Sequence, residues 1–136
     1  MIADLYLITA MKNYLDLFQS HLQPHEVSII SYFVAKGRSI ELVSPPFYRK
    51  SPDIVMDGVA WEMKSPKSNG KYTIEHAFQA ASKQSEHIII DLRESKMPSQ
   101  KALTKVKREA KLRTKLKRVL LITKRGRLLD IKAPKK

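Results

Sequence analysis

The chain has 136 residues, 43% of them hydrophobic, and carries a formal net charge of +13. That length allows one domain around one real core, spanning residues 1–136, and the absence of cysteine excludes disulfides, thiolate metal sites and cysteine nucleophiles. The charge is lopsided: residues 1–92 hold nine Lys and Arg against ten Asp and Glu, whereas residues 93–136 hold seventeen against three, so the C-terminal third suits a polyanionic partner such as nucleic acid.

In chain order, residues 2–18 place Leu5, Ile8, Leu15 and Phe18 near helical spacing, which predicts a first amphipathic helix. This stretch also carries Asp4 and Lys12 and lacks the basic start and small-residue cleavage site of a signal peptide. No run has the length of a membrane span, so neither a removed leader nor a membrane partner is expected. Pro24 suits the first turn of a second helix reaching Ala35, with Val27, Ile30 and Val34 as its stripe and Gly37 as its end. A strand over Ile40 to Val43 follows, and Pro45-Pro46 with Arg49-Lys50 form a loop.

The segment from Ile54 to Lys64 reads as two strands joined at Asp57-Gly58, a dipeptide that favours the two-residue type I′ turn. After a polar loop from Ser65 to Tyr72, a helix starts near Thr73 with Ile74, Ala77, Phe78 and Ala81 buried. Gln84, seven residues after Ala77, is expected on nearly the same face, aimed at the sheet. The apolar run from His87 to Leu92 predicts a central strand covered on both sides. A basic helix from Pro98 or Ser99 docks through Leu103, Val106 and Ala110, and Arg118 to Lys132 reads as a last hairpin through Arg125-Gly126. The fold class is therefore mixed α/β (α+β), a central mixed sheet flanked by helices in the order α-α-β-β-β-α-β-α-β-β.

The turn fixes the register, so Met56 pairs with Val59, Val55 with Ala60, Ile54 with Trp61 and Asp53 with Glu62. Directly opposed residues have Cβ atoms roughly 4.5–5.5 Å apart. Two carboxylates that close repel unless a proton, metal or cation lies between them, and Lys64 points the same way as Glu62. Asp53 and Glu62 can together hold a hard divalent cation such as Mg2+, which takes oxygen ligands and bridges to phosphate. Lys64 then orients water or neutralises charge in the transition state of phosphodiester hydrolysis. In a metal-free alternative the RNA 2′-OH attacks the adjacent phosphate, served by Lys64 with Ser65, Ser68, Lys71 and Thr73. The start of the helix at Thr73 adds backbone N–H groups for a phosphate in either case. Lys67, Ser68 and Lys71 in the loop, with Lys107 and Lys111 on the basic helix, are the candidate nucleic-acid contacts.

Pro52-Asp53 followed by Glu62-Met63-Lys64 resembles the PD-(D/E)xK nuclease superfamily, whose usual α-β-β-β-α-β core corresponds to residues 25–92 and whose frequent helical glutamine corresponds to Gln84. From about Gly37 to Ile131 the run SPDIVMDGVAWEMKSPKSNGKYTIEHAFQAASKQSEHIIIDL, the basic helix and the LLITKRGRLLDI hairpin look like the tRNA-cleaving C-terminal domains of CdiA-type contact-dependent inhibition toxins. That resemblance implies a ribonuclease acting in a target cell's cytoplasm and an acidic immunity protein that blocks it. It also implies either a PD-(D/E)xK-like core or one of the barnase, EndoU, colicin and RelE type. A metal-dependent DNase and a non-catalytic nucleic-acid-binding protein of a mobile element are the competing functions.

Each feature has a plainer reading. Asp53, Glu62 and Lys64 could form an ion network on an exposed sheet face, Gln84 a helix-end hydrogen bond and Thr73 a helix N-cap. Trp61 alternates into the core, His76 faces solvent, and Tyr48 and Tyr72 could stack on bases, against the plainer reading of half-buried loop packing.

Overall fold

The structure, a computed structural model, describes residues 22–42 and 54–133. The predicted helix over 2–18, Tyr48, Arg49-Lys50, Asp53 and the last three residues lie outside the described residues. Helix α1 spans Pro24–Ala35 and is opened by Pro24 at its first turn, where the Gln23 N–H donates to Glu26 at 2.9 Å. Gly37, at φ +81°, closes it: its N–H reaches the Val34 carbonyl and the Arg38 N–H reaches Phe33, the paired bonds of a Schellman end. The buried stripe is Ile29, Ile30 and Phe33, rotated from the predicted one, with Val27 and Val34 packed at its margins.

Six strands follow: β1 (Ile40–Leu42), β2 (Ile54–Met56), β3 (Val59–Lys64), β4 (His87–Asp91), β5 (Arg118–Ile122) and β6 (Leu128–Lys132). They form one sheet in sequential order, with β3/β4 and β4/β5 parallel and the other neighbours antiparallel. Helices α2 (Thr73–Ser82) and α3 (Ser99–Leu112) make the two parallel crossovers. Both crossovers step the same way along the sheet, so a common handedness puts both helices on one face. The buried residues agree: Ile74, Phe78, Val106 and Ala110 pack with Ile88, Ile90, Val119 and Leu121, whereas α1 packs on the other face with Trp61, Met63, Ile89 and Leu120. β4 feeds both cores in alternation, which explains its unbroken apolar run.

The observed order α-β-β-β-α-β-α-β-β is the predicted one from the second helix onward. The β2/β3 turn carries φ +51° at Asp57 and +82° at Gly58, as type I′ requires, and the pairs Ile54/Trp61, Val55/Ala60 and Met56/Val59 are as expected. Asp57 is held in this conformation by the Arg38 guanidinium and by the Ser39 N–H at 3.0 Å. The hydrogen bond from Arg38 keeps its carboxyl below the usual carboxylate range.

Candidate active site

Alternation along β3 sends Trp61 and Met63 into the α1-side core and turns Glu62 and Lys64 to the face covered by α2 and α3. Glu62 lies beside Ile88 and Lys64 beside Ile90 in the parallel ladder. Glu62 is not on an exposed sheet face: it is only 5% exposed, beneath the helices. The Lys64 ammonium is 3.7 Å from the Glu62 carboxylate, and its side chain stays one-third exposed. A buried carboxylate beside a cation that reaches solvent is a more costly arrangement than a surface ion pair. It stands near the carboxyl end of parallel strands, where open α/β sheets place ligands. Asp53, one residue before β2 in the chain, lies outside the described residues, so the predicted Asp53–Glu62 pairing does too.

The loop from Ser65 to Tyr72 leaves the strand at Lys64 and is pinned at several points. The Lys67 carbonyl accepts from the Lys96 N–H at 2.8 Å, and the Lys71 carbonyl accepts from the Lys105 ammonium at 2.6 Å. The Ser68 and Thr73 hydroxyls are 2.6 Å apart, and the Ser68 oxygen also accepts the Gly70 N–H. Thr73 is thus committed to Ser68 and is not the helix cap; Tyr72 occupies that position, with no side-chain hydrogen bond to the helix. Gly70 is the residue this packing admits, because a Cβ there would fall 2.7 Å from the Thr73 hydroxyl.

The structure brings Lys64, Ser68, Lys71 and Thr73 to one end of the sheet, but it places other predicted residues elsewhere. Gln84 is not on α2, which ends at Ser82. Ser85 stops the helix: its hydroxyl donates to the Ala60 carbonyl at 2.9 Å and accepts the His87 N–H. Gln84 therefore lies by the first half of β3, with its side-chain oxygen buried and accepting no hydrogen bond from a described group. Lys67 forms an exposed pair with Glu94 at 3.2 Å. Lys107 and Lys111 line a groove of about 660 Å³ between α3 and β6, floored by Ala110, Leu129 and Ile131. Three strand spacings, about 14 Å, separate that groove from β3.

Sequence reasoning missed two buried carboxylates. Asp91, 3% exposed at the end of β4, accepts from the Arg93 backbone N–H and from two guanidinium nitrogens, at 3.0, 3.0 and 2.8 Å. Arg93 also donates to the Ser28 carbonyl and hydroxyl on α1 and lies over the Tyr32 ring. Glu109, 6% exposed on α3, pairs with Arg113 at 3.1 Å, and Arg113 reaches the Glu75 carbonyl on α2. A lone acid closing an apolar strand and a Glu-Arg pair four apart were the available signals.

Glu62 is a hard oxygen donor of the kind magnesium takes, and the second carboxylate expected from sequence, Asp53, lies outside the described residues. Among the described residues no three His, Asp or Glu side chains converge into a closed metal cage. Among them, too, no helix is long and apolar enough to cross a membrane.

A family model described as contact-dependent growth inhibition CdiA C-terminal domain matches residues 50–128. This span contains all the predicted site residues, from Asp53 to Lys111. The fold is similar to that of a solved CdiA-CT/CdiI toxin and immunity complex from Burkholderia pseudomallei, with a TM-score of 0.55 and 18% sequence identity over 74% of this chain and 76% of that chain. The comparison with curated proteins gives no match.

Proposed function

The chain belongs to the contact-dependent growth inhibition CdiA C-terminal domain family, the toxin family its sequence resembles, and on that premise we propose that it cleaves RNA phosphodiesters, tRNA first among them. The observation that carries this reading is the buried Glu62 with Lys64 at 3.7 Å, near the carboxyl end of β3 and beside a pinned polar loop. The order α-β-β-β-α-β also supports the PD-(D/E)xK alternative of the two cores that the resemblance implied.

On this reading Glu62 supplies a carboxylate whose orientation is fixed by burial, and Asp53 is the second carboxylate expected from the turn register of the sequence. Lys64 places positive charge beside the negative charge that the phosphorane develops. The linked Ser68 and Thr73 hydroxyls shape the loop at the start of α2, where the N–H groups after Thr73 face an incoming phosphate, and Lys71 approaches from the loop. Glu62 and Asp53 would hold a magnesium ion, which when bound supplies Lewis-acid polarisation and a water of lowered pKa. The basic C-terminal third, including Lys107 and Lys111, grips the backbone through counterion release. An acidic immunity protein that covers the same surface completes the system, a reading supported by the Burkholderia pseudomallei complex, in which a toxin of similar fold is paired with an immunity protein. The site of action is then the cytoplasm of a target cell.

Purified chain incubated with tRNA should cut it in magnesium and stop in EDTA. Undiminished cleavage in EDTA moves the chemistry to the metal-free route, and preferential nicking of supercoiled plasmid moves the substrate to DNA. Intact RNA and plasmid in every condition overturns the nuclease reading.

A further inference from the structure

Tyr72 is one of two large apolar side chains standing clear of the described surface, 54% exposed at the start of α2. The expectation of half-buried loop packing does not hold, since the ring belongs to neither core cluster. It is also not loosely hung. The carbonyl of Lys71, immediately before it, is held by Lys105, the Lys67 carbonyl is held by Lys96, and the Ser68 and Thr73 hydroxyls close the loop between them. One turn along α2, the His76 ring lies 6.2 Å from the Tyr72 ring at a tilt of 34°. The Lys71 ammonium is 5.4 Å from the same ring and has no carboxylate partner among the described residues.

An exposed aromatic on a pinned loop, flanked by a cation, is what a nucleobase needs when it is not already stacked in a duplex. Every base has a π face, so the contact tolerates sequence, and the adjacent phosphate meets positive charge. The charge around the ring argues for a strand of nucleic acid over an apolar protein surface. Building on the RNase reading, we infer that Tyr72, with Lys71 and His76, is a stacking platform for an unpaired nucleobase next to the phosphate held at Lys64 and Thr73. The substrate class is thereby narrowed to RNA with unpaired nucleotides at the cut, such as loops and single-stranded ends.

The test reads binding, in the Glu62→Gln chain, so that failure of cleavage and failure of the platform are separable. The probe is a fluorescein-labelled 12-nucleotide single-stranded RNA followed by anisotropy across a salt series, beside the same RNA annealed into a duplex. Tyr72→Ala and Tyr72→Leu should each weaken single-strand binding roughly tenfold, within the range that one base–aromatic stack supplies. Tyr72→Phe should stay within about twofold of its parent, and duplex binding should move less than about twofold in all three variants. Because stacking releases no counterions, the salt slope should be unchanged, whereas Lys71→Ala should lower it by about 1. Thermal unfolding confirms that each variant is folded, and two replacements guard against one failing. The platform is overturned by a parent chain that does not bind the RNA. It is equally overturned by Ala and Leu variants that bind like the parent, which would leave Tyr72 as a contact for a protein partner, or by a Phe variant as weak as Ala.

Discussion

Adjacent parallel strands each bury a carboxylate, and the two are held in different ways. Asp91 at the end of β4 faces α1 and is gripped by the Nε and Nη2 of Arg93, which is itself tied to Ser28 and Tyr32. Glu62 in β3 faces α2, and its cation is a lysine 3.7 Å away whose side chain reaches the surface. A planar guanidinium fork fixes geometry, and here it fastens α1 to the sheet. A lysine is a mobile point charge, suited to meet a charge that comes and goes. Burial alone therefore does not tell the two acids apart; the partner, and what the partner is tied to, does, and on the proposed reading only Glu62 acts on substrate.

Substitutions at the two pairs challenge this contrast most directly. Asp91→Ala should lower stability by about 3 kcal/mol, read from urea unfolding, because it strands Arg93 and releases α1. The rate per folded molecule should then stay close to that of the parent. Lys64→Ala should act on the chemistry, cutting cleavage of tRNA per folded molecule by about 100-fold or more. Gly70→Ala probes the loop beside the second pair, since its Cβ must displace the Thr73 hydroxyl 2.7 Å away. It should cost about tenfold in cleavage rate by misplacing the loop, with the thermal midpoint nearly unmoved. Lys107→Ala and Lys111→Ala should weaken RNA binding a few-fold each and lower the salt slope by about 1, leaving single-turnover cleavage of bound RNA intact.

The smallest effect belongs to His87, whose ring stands 5.4 Å from that of Trp61. Burial holds its imidazole below the usual 6.5, assisted by Arg118 and Lys117 and opposed by Glu86. The unfolded chain therefore binds the proton at higher pH than the folded one, so this group makes stability fall as pH drops through about 6.5. His87→Gln should flatten that part of a stability–pH curve.

Local chemistry explains why much of this was legible in the sequence. Asp57-Gly58 dictated the hairpin and its register, the run from His87 demanded a doubly covered strand, and Pro24 with Gly37 bracketed α1. What escaped depended on contacts between distant segments. Nothing near Gln84 says that Ser85 will turn to Ala60, 25 residues earlier, and end α2 early. Nothing near Asp91 says that Arg93 will reach Ser28, 65 residues away. Glu62 and Lys64 were readable as a pair because strand alternation is local, but the burial of Glu62 needed α2 laid over β3. The exposure of Tyr72 likewise follows from a loop whose anchors, Lys96 and Lys105, lie beyond the next strand.

The most direct test of the central claim is single-turnover cleavage of tRNA by Glu62→Gln beside the parent chain, each with its urea midpoint measured in the same preparation. A loss of about 100-fold or more at an unchanged midpoint is the predicted result. Equal rates, or a loss accompanied by unfolding, would contradict a catalytic role for the buried carboxylate of β3.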